Sequence, residues 1–157
     1  MVTKITKDLR TLVQTENVLL HGSRHIFHEI RPHLTDGEMA VCATPYPEIA
    51  TPMAILTACT PGLPAYILNF KILQDGNVEF GICYGILNRL LNTDPHAYVY
   101  ALDKEGFKHF QRGEYRAYES RYTDRRISVT KNDLPFIPTD GQLHYKVKLD
   151  HSVLLSF

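Results

Sequence analysis

The sequence predicts an α+β domain, in which split, mainly antiparallel sheets are flanked by helices. Helical periodicity comes early in the chain and a series of short strand-like runs follows it, which is not the regular alternation of a βαβ protein. Turn residues separate the runs. The clearest are Gln74-Asp75-Gly76-Asn77, which place Asp-Gly between two apolar stretches and so predict a hairpin. At 157 residues the chain is the size of one domain, taken to span residues 1–157.

Residues 3–13 place Ile5, Leu9, Leu12 and Val13 on one helical face. Val18-Leu19-Leu20 reads as a short strand. A turn or short helix through Ile26, Phe27 and Ile30 follows, closed by Pro32. Residues 39–43 read as a buried strand. Thr44-Pro45 reads as an N-cap followed by proline at the first helical position, opening a helix that runs towards Ala58. Pro52 is expected to kink or restart it, and Pro61 and Pro64 to close it. Further strands are expected over residues 65–72, 78–84, 97–102, 115–119, 126–129 and 143–149, with Asn69, Asn88 and Asn92 as turn or edge residues.

Hydrophobic residues make up 44% and charged residues 22%, so a folded core is expected, not disorder. There is no Trp, but nine Tyr and seven Phe can fill a core or stack on a flat ligand. The net charge of zero argues against a global electrostatic grip on nucleic acid or membrane. Between Lys108 and Lys131, however, seven Lys or Arg face only Glu114, Glu119 and Asp124. That excess reads either as a solvated face or as a surface towards phosphates. Cys42, Cys59 and Cys83 are few, odd in number and set in apolar stretches, which predicts buried thiols. His25, His28 and His33 lie close together, but no further ligand completes a site, so no metal is expected. Charges near the N-terminus interrupt any leader-like apolar region, and no run is long enough to span a bilayer. The expected location is the cytoplasm, with no membrane partner.

The first apolar strand delivers Leu20-His21-Gly22-Ser23-Arg24, where glycine permits close approach by a ligand. This segment resembles the first NAD-binding motif of the diphtheria-toxin-like branch of the ADP-ribosyltransferases. That branch includes the poly-ADP-ribose polymerases and small bacterial rifampicin-modifying enzymes. The resemblance implies a specific role for each residue. His21 would hydrogen-bond an adenosine-side ribose hydroxyl, the Gly22 backbone would pair with the nicotinamide amide, and the Ser23 hydroxyl would hold that same amide. Arg24 would either reach the phosphates or sit in solvent.

Val41-Cys42-Ala43-Thr44, with Ala50 on the helix after it, resembles the second strand and helix of that family. The family places Tyr where this chain has Val41. Aromatic stacking suits a flat ring, so Tyr46 is the expected substitute, with Tyr66 and Tyr84 as alternatives. The family's third motif is an acid on a late strand. Glu119 is assigned to it, together with His21 as the catalytic pair, and Glu114 is the runner-up. Cleavage of the nicotinamide–ribose bond creates an oxocarbenium-like centre. A carboxylate beside it stabilises charge where it develops and so lowers the barrier.

The resemblance therefore implies an NAD-consuming mono-ADP-ribosyltransferase that modifies a protein or nucleic acid and releases nicotinamide. A role as a toxin or anti-phage effector, restrained by an antitoxin or inhibitor protein, follows by analogy of fold alone. The alternatives are an NAD glycohydrolase, with water as acceptor, and a non-catalytic NAD- or ADP-ribose-binding module.

Overall fold

The computed structural model describes residues 3–123 and 125–151. Helix α1 (Lys4–Thr15) is capped by Thr3, whose hydroxyl accepts the Thr6 amide at 3.1 Å, and it buries Leu9 and Val13. Strand β1 (Val18–Ser23) follows, then β2 (Glu29–Ile30), β3 (His33–Thr35) and β4 (Glu38–Ala43). Helix α2 (Pro47–Ala58) leads to β5 (Leu68–Ile72), β6 (Val78–Ile82) and α3 (Tyr84–Asn92). The remaining strands are β7 (His96–Asp103), β8 (Lys108–Gln111), β9 (Glu114–Ala117), β10 (Arg121–Tyr122), β11 (Arg126–Thr130) and β12 (His144–Val147).

All strand pairings among the described residues are antiparallel, and they form four sheets. These are β1-β7-β11, β12-β6-β5, β3-β4-β9-β8 and the two-stranded β10-β2. The α+β expectation therefore holds. The larger core is built from α1, α2, α3 and the strands facing them, with Leu20, Ile55, Phe80, Leu90 and Val99 fully buried. A smaller one joins Ile30, Val41, Tyr100, Leu102 and Ala117.

The structure corrects several local expectations. Of the turn or short helix expected through Ile26, Phe27 and Ile30, no helix forms: the chain bends at Arg24, His25 and His28 and enters β2, where Ile30 pairs with Arg121. Helix α2 starts two residues later than Thr44-Pro45 suggested, with Tyr46 as N-cap and Pro47 in the first turn. Thr44 is unavailable as a cap because its backbone still exchanges hydrogen bonds with Leu20. Pro52 sits inside a continuous helix. The helix tolerates it because it is buried on nearly every side, including Ile49, Ala50, Ala54, Ile55 and Leu56. Asn88 and Asn92 belong to α3, where the Asn92 side-chain amide donates to the Asn88 carbonyl at 2.8 Å. The late acidic strand ends at Ala117, before Glu119. Of the thiols only Cys59 is buried; Cys42 and Cys83 are partly exposed. No helix among the described residues is long and apolar enough to cross a membrane.

Candidate functional site

Strands β1 and β4 touch only briefly. Leu20 and Thr44 exchange backbone hydrogen bonds of 2.8 and 2.9 Å, and beyond that bridge the strands turn to different partners, β7 and β9. A cleft of about 610 Å³ opens at this splay. That is within the range of small-molecule sites, roughly 300–1,000 Å³. Its lining includes Ile49, Ala50, Met53 and Thr57 of α2, Leu68, Asn69 and Phe70 of β5, and Gln111, Gly113 and Glu114 around the β8–β9 turn.

His21 lies in the gap. Its Nδ1 lies 2.6 Å from the Cys42 carbonyl oxygen, an acceptor, so the proton resides on Nδ1 and Nε2 is left as an acceptor. Burial pushes the imidazole below its ordinary value of 6.5, against the opposing pull of that hydrogen bond, and the ring is neutral at physiological pH. Ser23 is buried, and its oxygen accepts the His25 amide at 3.1 Å, leaving the hydroxyl hydrogen to donate. Arg24 is exposed at the rim and donates to Thr60 Oγ1 and His25 Nε2. Tyr100 secures the loop above: its hydroxyl donates to the His25 carbonyl at 2.8 Å and accepts the Phe27 amide at 2.7 Å.

Gly22 has a packing reason to be glycine. A Cβ there would collide with the Ala50 carbonyl and lie 2.8 Å from the Ala54 nitrogen. Helix α2 crosses β1 at backbone contact, so the absent side chain is explained without any ligand.

Two acids line the cleft, the exposed Asp36 and, with its side chain only 12% exposed, Glu114. Its carboxylate accepts from Arg116 Nε at 2.5 Å and from the Gln111 amide at 3.1 Å. Arg116 is 1% exposed and also binds Glu38 at 2.6 Å and Asp36 at 2.9 Å. Its guanidinium carbon stands 3.5 Å from the centre of the Phe110 ring. Burial alone would weaken its hold on the proton. The hydrogen bonds and charges of Glu114, Glu38 and Asp36 outweigh that and raise its pKa. Three carboxylates share one guanidinium, so acidic groups outnumber basic ones in the cluster. Cys42 completes it, with Sγ 3.6 Å from Glu114 Oε2; burial and that carboxylate push its thiol up to about 11.

The structure thus brings His21, Gly22, Ser23, Arg24 and Glu114 to one cleft and leaves out two predicted residues. Glu119 is exposed, lies beyond the end of β9 and does not line the cleft. Tyr46 is 1% exposed and points into the core, where its hydroxyl meets His151 Nδ1 at 3.1 Å. Tyr66 and Tyr84 are exposed and lie outside the lining. Val41 packs fully buried against Ile30, Tyr100 and Ala117, so the position that holds Tyr in the resembled family faces a core here. The aromatic side chains that do line the cleft are Phe27 and Phe70. No sequence pattern marked them, because each reaches the cleft through the path of a loop or of an edge strand.

Much of the basic stretch is engaged within the fold. Arg116 is buried, Arg125 forms a two-pronged pair with Glu16, and Arg126 and Arg121 lie over Tyr98 and Phe107. Asp124 lies outside the described residues. No group of three His, Cys, Asp or Glu among the described residues is placed to hold a metal ion. Comparisons with protein-family models, with curated proteins and with solved structures found no match.

Proposed function

We infer that the cleft takes NAD as substrate and that the protein is a mono-ADP-ribosyltransferase acting on a macromolecule, with an ADP-ribosyltransferase-like fold. One observation carries this reading: His21, Ser23 and Arg24 line the same cleft as the carboxylate of Glu114. His21 Nε2 is a neutral acceptor for a ribose hydroxyl, and Ser23 retains a proton to donate to an amide oxygen. Phe27 and Phe70 offer apolar ring surface for nicotinamide, the role first expected of Tyr46. Arg24 supplies a cation at the rim for the pyrophosphate.

In the reaction the bond from ribose C1′ to the nicotinamide nitrogen breaks, and its electron pair leaves with neutral nicotinamide. A lone pair of the acceptor forms the new bond to C1′, and the acceptor's proton passes to solvent. Positive charge builds on the ribose between these events. Glu114, in a cluster with more carboxylates than cations, opposes that charge. The role first given to Glu119 passes to Glu114 because it lines the cleft with its side chain only 12% exposed, whereas the other lining acid, Asp36, is 74% exposed.

The ion pair of Glu114 with Arg116 favours a second reading, a module that binds NAD or ADP-ribose without turnover, because part of the carboxylate's charge is already compensated. A test uses NAD labelled on the adenylate, mixed with purified protein and cell lysate, with nicotinamide release and label followed together. Label on protein or nucleic acid, lost in His21→Ala and Glu114→Gln, establishes the transferase. Free ADP-ribose alone identifies a glycohydrolase. NAD binding without nicotinamide release overturns the enzymatic reading in favour of the module.

A further inference from the structure

We propose that the edge of β5 that carries no second strand among the described residues is a docking strand for an extended, cationic peptide segment, the protein acceptor of the transferase. This rests on the proposed function only in calling the peptide an acceptor.

Among the described residues, β5 is the outer strand of the sheet β12-β6-β5. The Cys83 amide donates to the Ile67 carbonyl at 3.1 Å, and the Leu73 amide donates to the Asn77 carbonyl at 2.7 Å. Both pairs belong to the single antiparallel register that also sets Asn69 opposite Gly81 and Lys71 opposite Glu79. Hydrogen-bonded and non-bonded pairs alternate along such a ladder. Residues 67, 69, 71 and 73 therefore face β6 with their backbone groups, and the N–H and C=O of Leu68 and Phe70 point away from it. These two residues, with Asn69, also line the cleft that holds His21 and Glu114. The far end of the edge is closed by the turn at Gly113, where even a Cβ would come within 2.6 Å of Ile72 Cδ1.

A row of outward amides and carbonyls with a two-residue repeat is complementary to one kind of ligand, an extended backbone. Nucleic acid offers no matching alternation of donor and acceptor. The charge of the cleft selects further. Asp36, Glu38 and Glu114 surround the single guanidinium of Arg116, and this favours a peptide bearing Lys or Arg where it passes the cluster. Exposed Tyr66 and Ile67, just before the strand, extend the surface with apolar contact for the peptide's alternate side chains.

The test screens a bead-displayed library of acetylated octapeptides against the intact protein, without NAD. Retained peptides are expected to be cationic. N-methylation at every second residue should weaken binding at least tenfold, and N-methylation at the interleaved residues less than twofold. Hydrogen exchange at the Leu68 and Phe70 amides should slow at least tenfold with peptide bound. Leu68→Pro removes an outward N–H without touching the β6 ladder and should abolish binding; if that variant fails to fold, the N-methyl scan still decides. No retained peptide, equal sensitivity to both N-methyl sets, or protection elsewhere overturns the docking strand. Labelled NAD is then added. Transfer of label to the retained peptide supports the full proposal, and label found only on nucleic acid overturns it. Peptide pairing with no nicotinamide release sinks the transferase reading and leaves the docking strand standing.

Discussion

His21 gives its Nδ1 proton to the carbonyl oxygen of Cys42 across 2.6 Å, and with that one bond a side chain closes a gap that the backbones of β1 and β4 have left open. The bond fixes the tautomer, and the tautomer fixes what His21 offers to a ligand, an acceptor at Nε2.

Because burial holds His21 below its ordinary value of 6.5, the folded protein binds fewer protons than the unfolded chain over the window beneath that value. Stability from this group is therefore complete above about pH 6.5 and is lost as pH falls through the depressed folded value. Calorimetric melting temperatures measured from pH 7.5 to 4.5 should decline on the acid side. A His21→Asn variant, which cannot titrate, should decline less steeply. Parallel curves would remove His21 from the acid transition.

Gly22→Ala should cost about 3 kcal/mol of stability, since the new methyl meets backbone of α2 and not a yielding side chain. Urea unfolding measures this directly. A variant as stable as the wild type would show that α2 can withdraw and that the glycine is retained for another reason.

Glu114→Gln keeps the shape of the site and removes the charge. Under the proposed reaction, nicotinamide release should fall about 100-fold, as for loss of one preorganised electrostatic group, with NAD affinity little altered. Glu119→Gln, at an exposed site outside the cleft, should change turnover less than twofold. Single-turnover rates for the two variants, side by side, decide which acid acts; the reverse ranking would restore Glu119.

Arg116→Leu leaves three carboxylates facing one another at a site where the guanidinium is 1% exposed. The loss should be about 3–5 kcal/mol near pH 7. Urea titration of the variant beside the wild type checks the size, and equal stability would show that the three carboxylates do not depend on the guanidinium.

Val41→Tyr tests the position at which the resemblance drawn from the sequence would place Tyr. Val41 is fully buried against Ile30, Tyr100 and Ala117, so a ring there should destabilise the protein by about 1–3 kcal/mol without improving NAD affinity. Tighter NAD binding by a folded Val41→Tyr protein would show that this side chain can reach the cleft.

Much of the fold could be read in the sequence because single faces announce themselves. Leu9 and Val13 mark α1, Asp75-Gly76 marks the β5–β6 hairpin, and the alternation around Tyr98 and Tyr100 marks β7. Strand β8 gave no signal because all four of its residues are exposed. Helix α3 was obscured because its apolar positions, Ile86, Leu87 and Leu90, sit among asparagines that resemble turn residues. The cleft position of His21, Gly22, Ser23 and Arg24 follows from their being contiguous at the end of one strand. That Glu114 and not Glu119 lines the cleft was not legible, because the two are five residues apart and only the end point of β9 separates a cleft residue from a surface one. Tyr46 failed as a pocket residue for a related reason: position next to a motif does not fix direction, and the start of α2 turns that ring inward.

The bridge between Leu20 and Thr44 gives the molecule a mechanical property. Two hydrogen bonds at one point make a pivot, and the walls on either side belong to separately hydrogen-bonded sheets. Changing the angle between the two sheets would break no ladder, but it would have to break the bond from His21 to Cys42 and shear the small core that Val41 and Ala117 share with Tyr100 and Leu102. The point contact is thus braced on one side by a side chain and on the other by packing, and a molecule that touched both walls would brace the same angle a third time.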